Sequence, residues 1–163
     1  MTLQDLQKLF PDATEATWHQ HPDGGGWVEN TASVDASAFV GPEALVSGNA
    51  WVSGNARVSG NARVYGNAVV FGNARVSGYA WVCEDAEVYG HARVFGNAKV
   101  SGNAKVSGNA RVSGNAEVSG NARVYGNAKV SGNAWAWVYG NAQVYGNARV
   151  SGNVWVSGNA RVY

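Results

Sequence analysis

The chain has 163 residues, 22 of them glycine and one cysteine, with a formal net charge of +1. That length fits one domain, the lone Cys83 excludes an internal disulfide, and no run of 18 apolar residues is present to span a membrane. A glycine-rich chain without a period would read as disordered, but here the period is strict, so the repeat is read first.

Residues 2–10 read as a short helix. Thr2 caps it with Asp5 three residues on, and Leu3, Leu6, Leu9 and Phe10 form its apolar face. Pro11 stops it. Residues 1–20 lack a basic start and a long apolar run, so they are not a secretory signal. With the free cysteine, which fits a reducing compartment, the expected location is the cytoplasm. Residues 11–26 read as a loop ending in His-Pro-Asp-Gly-Gly-Gly, and 1–26 together are expected to lie as a cap across the first coil of the repeat region.

From Val28 an aliphatic residue recurs every six positions to Val130, then slips by two and resumes from Val138 to Val162. Alanine precedes most of these valines by two, as Ala56 precedes Val58. Ala and Val therefore share one face and the polar residues the other, which is the period of a strand. Gly-Asn follows each short strand. Gly takes positive φ freely and Asn tolerates it, so the pair suits a sharp corner. Such a strand cannot bury its face alone, and stacked coils solve that. The slip at Ala134-Trp135-Ala136-Trp137-Val138 reads as a lengthened side or small outward bulge near 134–137. Val154, where alanine is expected one coil later, reads as a larger inward residue filling the widened coil.

The run from Trp27 to Ala44 (WVENTASVDASAFVGPEA), followed by the Gly-Asn-Ala-x-Val hexads, resembles the hexapeptide-repeat superfamily of trimeric acyltransferases and γ-type carbonic anhydrases. Within it, the chain looks most like bacterial and phage hexapeptide proteins of no known activity. The resemblance covers about residues 27–163. It implies an all-β, single-stranded, left-handed parallel β-helix, three-sided with 18 residues per coil, assembled as a homo-oligomeric trimer. The usual rule for parallel crossovers would give the opposite hand.

With 18 residues per coil, the outward residues sort into columns. The first face carries Trp27, Leu45, Arg63, Trp81, Lys99, Glu117, Trp137 and Trp155, with Cys83 also pointing outward. The second carries Trp51, Val69, Glu87, Lys105, Arg123, Gln143 and Arg161 beside Phe71, Tyr89, Ser107, Tyr125, Tyr145 and Tyr163. The third carries Arg57, Arg75, Arg93, Arg111, Lys129 and Arg149 beside Ser59, Ser77, Phe95, Ser113, Ser131 and Ser151. This third face is the candidate site for an anionic ligand or an acidic partner; a solvated basic face is the alternative. Trp81, Trp137, Trp155, Phe71, Tyr89, Tyr125 and Tyr145 are the candidate interface. The charge is divided along the chain. Residues 1–43 carry seven carboxylates against Lys8, whereas 44–163 carry eleven cations against Glu84, Asp85, Glu87 and Glu117.

Catalytic chemistry finds little support. The acyltransferases that the chain resembles use a histidine base, and His91, at a corner in place of Asn, is the candidate, with acetyl-coenzyme A as donor. The carbonic anhydrases need three zinc-binding histidines, and the repeat region holds His91 alone. His19 and His21 are a weak metal pair. Glu84 and Asp85 would raise the Cys83 thiol pKa and argue against a nucleophile. The reading is a non-catalytic scaffold or binding module without cofactor. An acyltransferase using His91 is the alternative. The last coil, ending at Val162-Tyr163, leaves a strand edge that invites end-to-end pairing.

Overall fold

In a computed structural model describing residues 1–132 and 136–163, the hexads wind into a three-sided parallel solenoid of about seven coils. The chain visits three sheets in turn. The solenoid part of the first begins with β2 (Trp27–Glu29), the second with β3 (Ser33–Val34) and the third with β4 (Phe39–Val40). Each strand pairs in parallel with the strand one coil on, as in Arg75↔Arg93 and Val76↔Val94. The alanines and valines from Ala38 to Val144 form one continuous buried core.

Glycine closes the corners because of both conformation and space. Gly102 has φ +67°, and a Cβ there would lie 2.8 Å from the Gly120 nitrogen. Asn does not share the left-handed conformation; the only non-glycine residue with positive φ among those described is Glu84, at 61°. Asn instead works through its side chain. Asn109 donates to Asn127 at 3.1 Å and Asn127 to Asn147 at 3.3 Å, so amides climb the corner as a ladder. Glu84 stands where the repeat has Gly, and its carboxylate accepts the Gly102 N–H at 2.6 Å. Glu29 and Asp35 do the same for Gly48 and Gly54. Part of the acidic front is thus spent on corner N–H groups.

Residues 133–135 lie outside the described residues, and with them part of the expected bulge. The effect on register is visible on either side. Glu117 pairs with Trp137, twenty residues on, and spacing returns to eighteen at Trp137↔Trp155. Around this coil the third-face strands lengthen to Arg111–Gly114 and Lys129–Gly132. Val154 pairs with Ala136 but is 37% exposed, contrary to the expected core filling, whereas Val156 on the same strand is buried.

Residues 1–26 hold more structure than a helix and a loop. The helix α1 spans Leu3–Gln7, with Thr2 and Asp5 forming the expected reciprocal cap. The Lys8 ammonium and Thr2 hydroxyl hold the Asp5 carboxyl below the usual carboxylate range. Leu6 packs with Ala13, Trp18, Trp27 and Leu45, so the helix covers the outer flank of the first sheet instead of the open end of the coil. The end strand is covered by β1 (Trp18–Gln20), antiparallel to β2. Among the described residues no helix is long and apolar enough to cross a membrane.

Candidate functional site

The third face places its six cations in one register. Arg57, Arg75, Arg93, Arg111, Lys129 and Arg149 pair successively, strand on strand. All six are exposed. Adjacent rungs are ~4.8 Å apart, the spacing of paired strands. One residue more heads the column than the sequence reading placed there. Phe39 pairs with Arg57, whose guanidinium lies 4.1 Å from the ring centroid. Extending the eighteen-residue step back one coil from Arg57 would have found it. From Arg75 to Arg149 no ladder side chain makes an ion pair or hydrogen bond among the described residues.

Beside this ladder runs a groove of about 580 Å³, lined by Phe95, Ser113, Ser131, Ser151, Asn153 and the corner glycines from Gly96 to Gly152. Each serine follows a ladder cation by two on the same strand and shares its outward face. The corner glycines leave room between these side chains. Phe95 interrupts the serine column and is 38% exposed. Cations on one bank, hydroxyls in the bed and a ring beside them can hold an extended chain of anionic groups.

Each of the other faces carries one ion pair between coils among the described residues. On the first, Lys99 meets Glu117 at 3.8 Å; on the second, Lys105 meets Glu87 at 2.9 Å. Phe71 stacks on Tyr89, Tyr125 on Tyr145, and Trp137 on Trp155. Trp81 and Trp155 are 41% and 67% exposed. Cys83 does not reach solvent as its place in the column would suggest. It is buried beneath neighbouring coils. Burial, more than the nearby Glu84, raises its thiol pKa, and it pushes the Tyr65 phenol up to about 12.

The histidines are scattered. His91 is exposed at a corner, and its backbone N–H donates to the Gly108 carbonyl at 2.8 Å. No group among the described residues hydrogen-bonds its ring. Buried His21 donates from Nε2 to the Ala38 carbonyl at 2.8 Å, and His19 Nδ1 meets the Asn30 side-chain oxygen at 2.7 Å. Both rings thereby anchor the front segment. No group of three or more His, Cys, Asp or Glu among the described residues is arranged to hold a metal ion.

The model of the YdcK beta solenoid repeat matches residues 56–70, 70–84, 104–120, 116–132, 122–140 and 142–158, together just over half of the chain. No curated protein and no solved structure matches it.

Proposed function

The chain belongs to the YdcK β-solenoid repeat family, and from that premise we propose that it is a non-catalytic binding module whose third face grips a linear polyanion. The observation that carries this reading is the ladder from Arg75 to Arg149, aligned rung on rung and without internal counter-charges among the described residues. Like charges ~5 Å apart repel by roughly 0.8 kcal/mol even in bulk water. Each of the other two faces sets a carboxylate against a neighbouring cation, Glu117 against Lys99 and Glu87 against Lys105, whereas this face has no carboxylate in its column. A polyanion lying along the groove neutralises several rungs at once and releases its own counterions. The serine hydroxyls beside the cations add hydrogen bonds to anionic oxygens.

A labelled oligothymidylate of about 20 nucleotides tests this at low salt. Wild type binds it, and Arg93→Ser/Arg111→Ser binds at least about tenfold more weakly, with a salt slope flatter by about 1.4. Undetectable affinity for wild type at low salt, or an unchanged double variant, overturns the reading.

The stacked Trp137–Trp155 pair supports a second element of the proposal, association between copies through the first face. Light scattering checks it. Trp155→Ser shifts the protein toward monomer, and a monomeric wild type removes this element without touching the ladder.

A further inference from the structure

The second face carries a stack of rings with one rung missing. Phe71 and Tyr89 lie 4.8 Å apart between centroids, Tyr125 and Tyr145 5.2 Å, and Tyr145 and Tyr163 5.7 Å. The coil between Tyr89 and Tyr125 presents Ser107 instead of a ring. Two coil spacings separate these tyrosines by about 9.6 Å. A ring placed midway would sit about 4.8 Å from each, within the range of aromatic pairs. The level is open. A cavity of about 340 Å³ is lined by Tyr89, Lys105, Ser107, Arg123, Tyr125 and Gln143.

The walls are already in place. Phe71 backs Tyr89, and Tyr145 backs Tyr125. The Tyr125 hydroxyl also donates to Gln143 Oε1 at 3.3 Å. A guest therefore finds two rings, each already stacked on a neighbour behind it, and little ordering remains to oppose binding. The two cations at the rim differ. Lys105 is held by Glu87 at 2.9 Å, whereas Arg123 is exposed and makes no ion pair among the described residues.

We propose that this slot binds a planar aromatic ring carrying an anionic group, of the nucleoside monophosphate kind. The ring enters as the missing rung between Tyr89 and Tyr125. Ser107 leaves the room and offers a hydroxyl to the polar edge. Arg123, two residues before Tyr125 on the same outward face, takes the phosphate. The slot lies on the second face, so it stands or falls separately from polyanion binding on the third.

Calorimetry with AMP, adenosine and inorganic phosphate on the full chain tests it. AMP binds saturably at one site per chain. Ser107→Tyr supplies the absent ring and abolishes that binding, while its melting temperature stays equal or rises. Should that variant fail to fold, Tyr125→Ala, which removes one wall, carries the same loss. Arg123→Ser weakens AMP about 10-fold and leaves adenosine unchanged. Arg93→Ser/Arg111→Ser leaves AMP binding intact. Unaltered AMP binding in Ser107→Tyr overturns the slot, as does the absence of saturable AMP binding at millimolar concentration. Inorganic phosphate binding as tightly as AMP overturns it too, since the ring would then contribute nothing.

Discussion

The second and third faces share one core and one hexad, yet they use their outward positions in opposite ways. On the second, Lys105 answers Glu87 and stacked rings tie neighbouring coils together. On the third, cation follows cation from Arg57 to Arg149 without a carboxylate. Buried Ala and Val hold both faces equally. The core therefore leaves the outer columns free to vary. One column adds to stability; the other opposes it slightly.

The largest expected effect comes from crossing between inside and outside. Val106→Asp puts an unpaired charge into the core and unfolds several coils, a loss of several kcal/mol. Ser107→Asp, one residue on and outward, stays within about 0.5 kcal/mol. Chemical denaturation of the two variants checks this; equal behaviour would overturn the division into core and columns.

A smaller effect separates the two faces directly. Lys105→Ser removes a half-exposed ion pair and lowers stability by about 0.2–1 kcal/mol. Arg93→Ser removes like-charge repulsion and raises stability by a few tenths of a kcal/mol at low salt, an effect that vanishes as salt screens the column. Melting curves at two ionic strengths read both. Equal signs for the two variants would mean that the faces do not differ as described.

The smallest effect is on pH dependence. The Tyr65 phenol is pushed up to about 12 by burial, so the folded chain keeps a proton that the unfolded chain has lost above about pH 10. Its contribution to stability is complete below the unfolded pKa and is lost as pH rises from about 10 to 12. Absorbance titration of phenolate shows one late-titrating tyrosine in wild type that Tyr65→Phe lacks.

Much of this is legible in the sequence because the repeat makes position and environment nearly the same thing. Six-residue spacing of valine marks the strands, and the eighteen-residue step lines up the ladder and locates Ser107 within the ring column. Features that break the repeat are harder to read. The strand Trp18–Gln20 falls where the sequence reads as loop, although Trp18-His19-Gln20 and Trp27-Val28-Glu29 flank a Pro-Asp-Gly turn and form a hairpin signal. Cys83 obeys the outward pattern and is still buried, because alternation gives a side chain's direction and not the bulk of its neighbours. Val154 follows the inward pattern and is exposed, while Val156 two residues on is buried, so alternation alone does not give burial in this strand. Asn at the corners looks like a turn residue; its amide ladder depends on the coil above, which no single hexad contains. The open rung at Ser107 becomes meaningful only once the ring spacing is known.

If the third face is the binding surface, polyanion affinity follows one column and not net charge. The salt dependence of oligothymidylate binding decides this, measured for two triple variants of equal charge. Arg75→Ser/Arg93→Ser/Arg111→Ser should flatten the slope by about 2, while Arg63→Ser/Lys99→Ser/Arg161→Ser should leave it near wild type. Equal flattening in both triples would contradict a binding surface confined to the ladder.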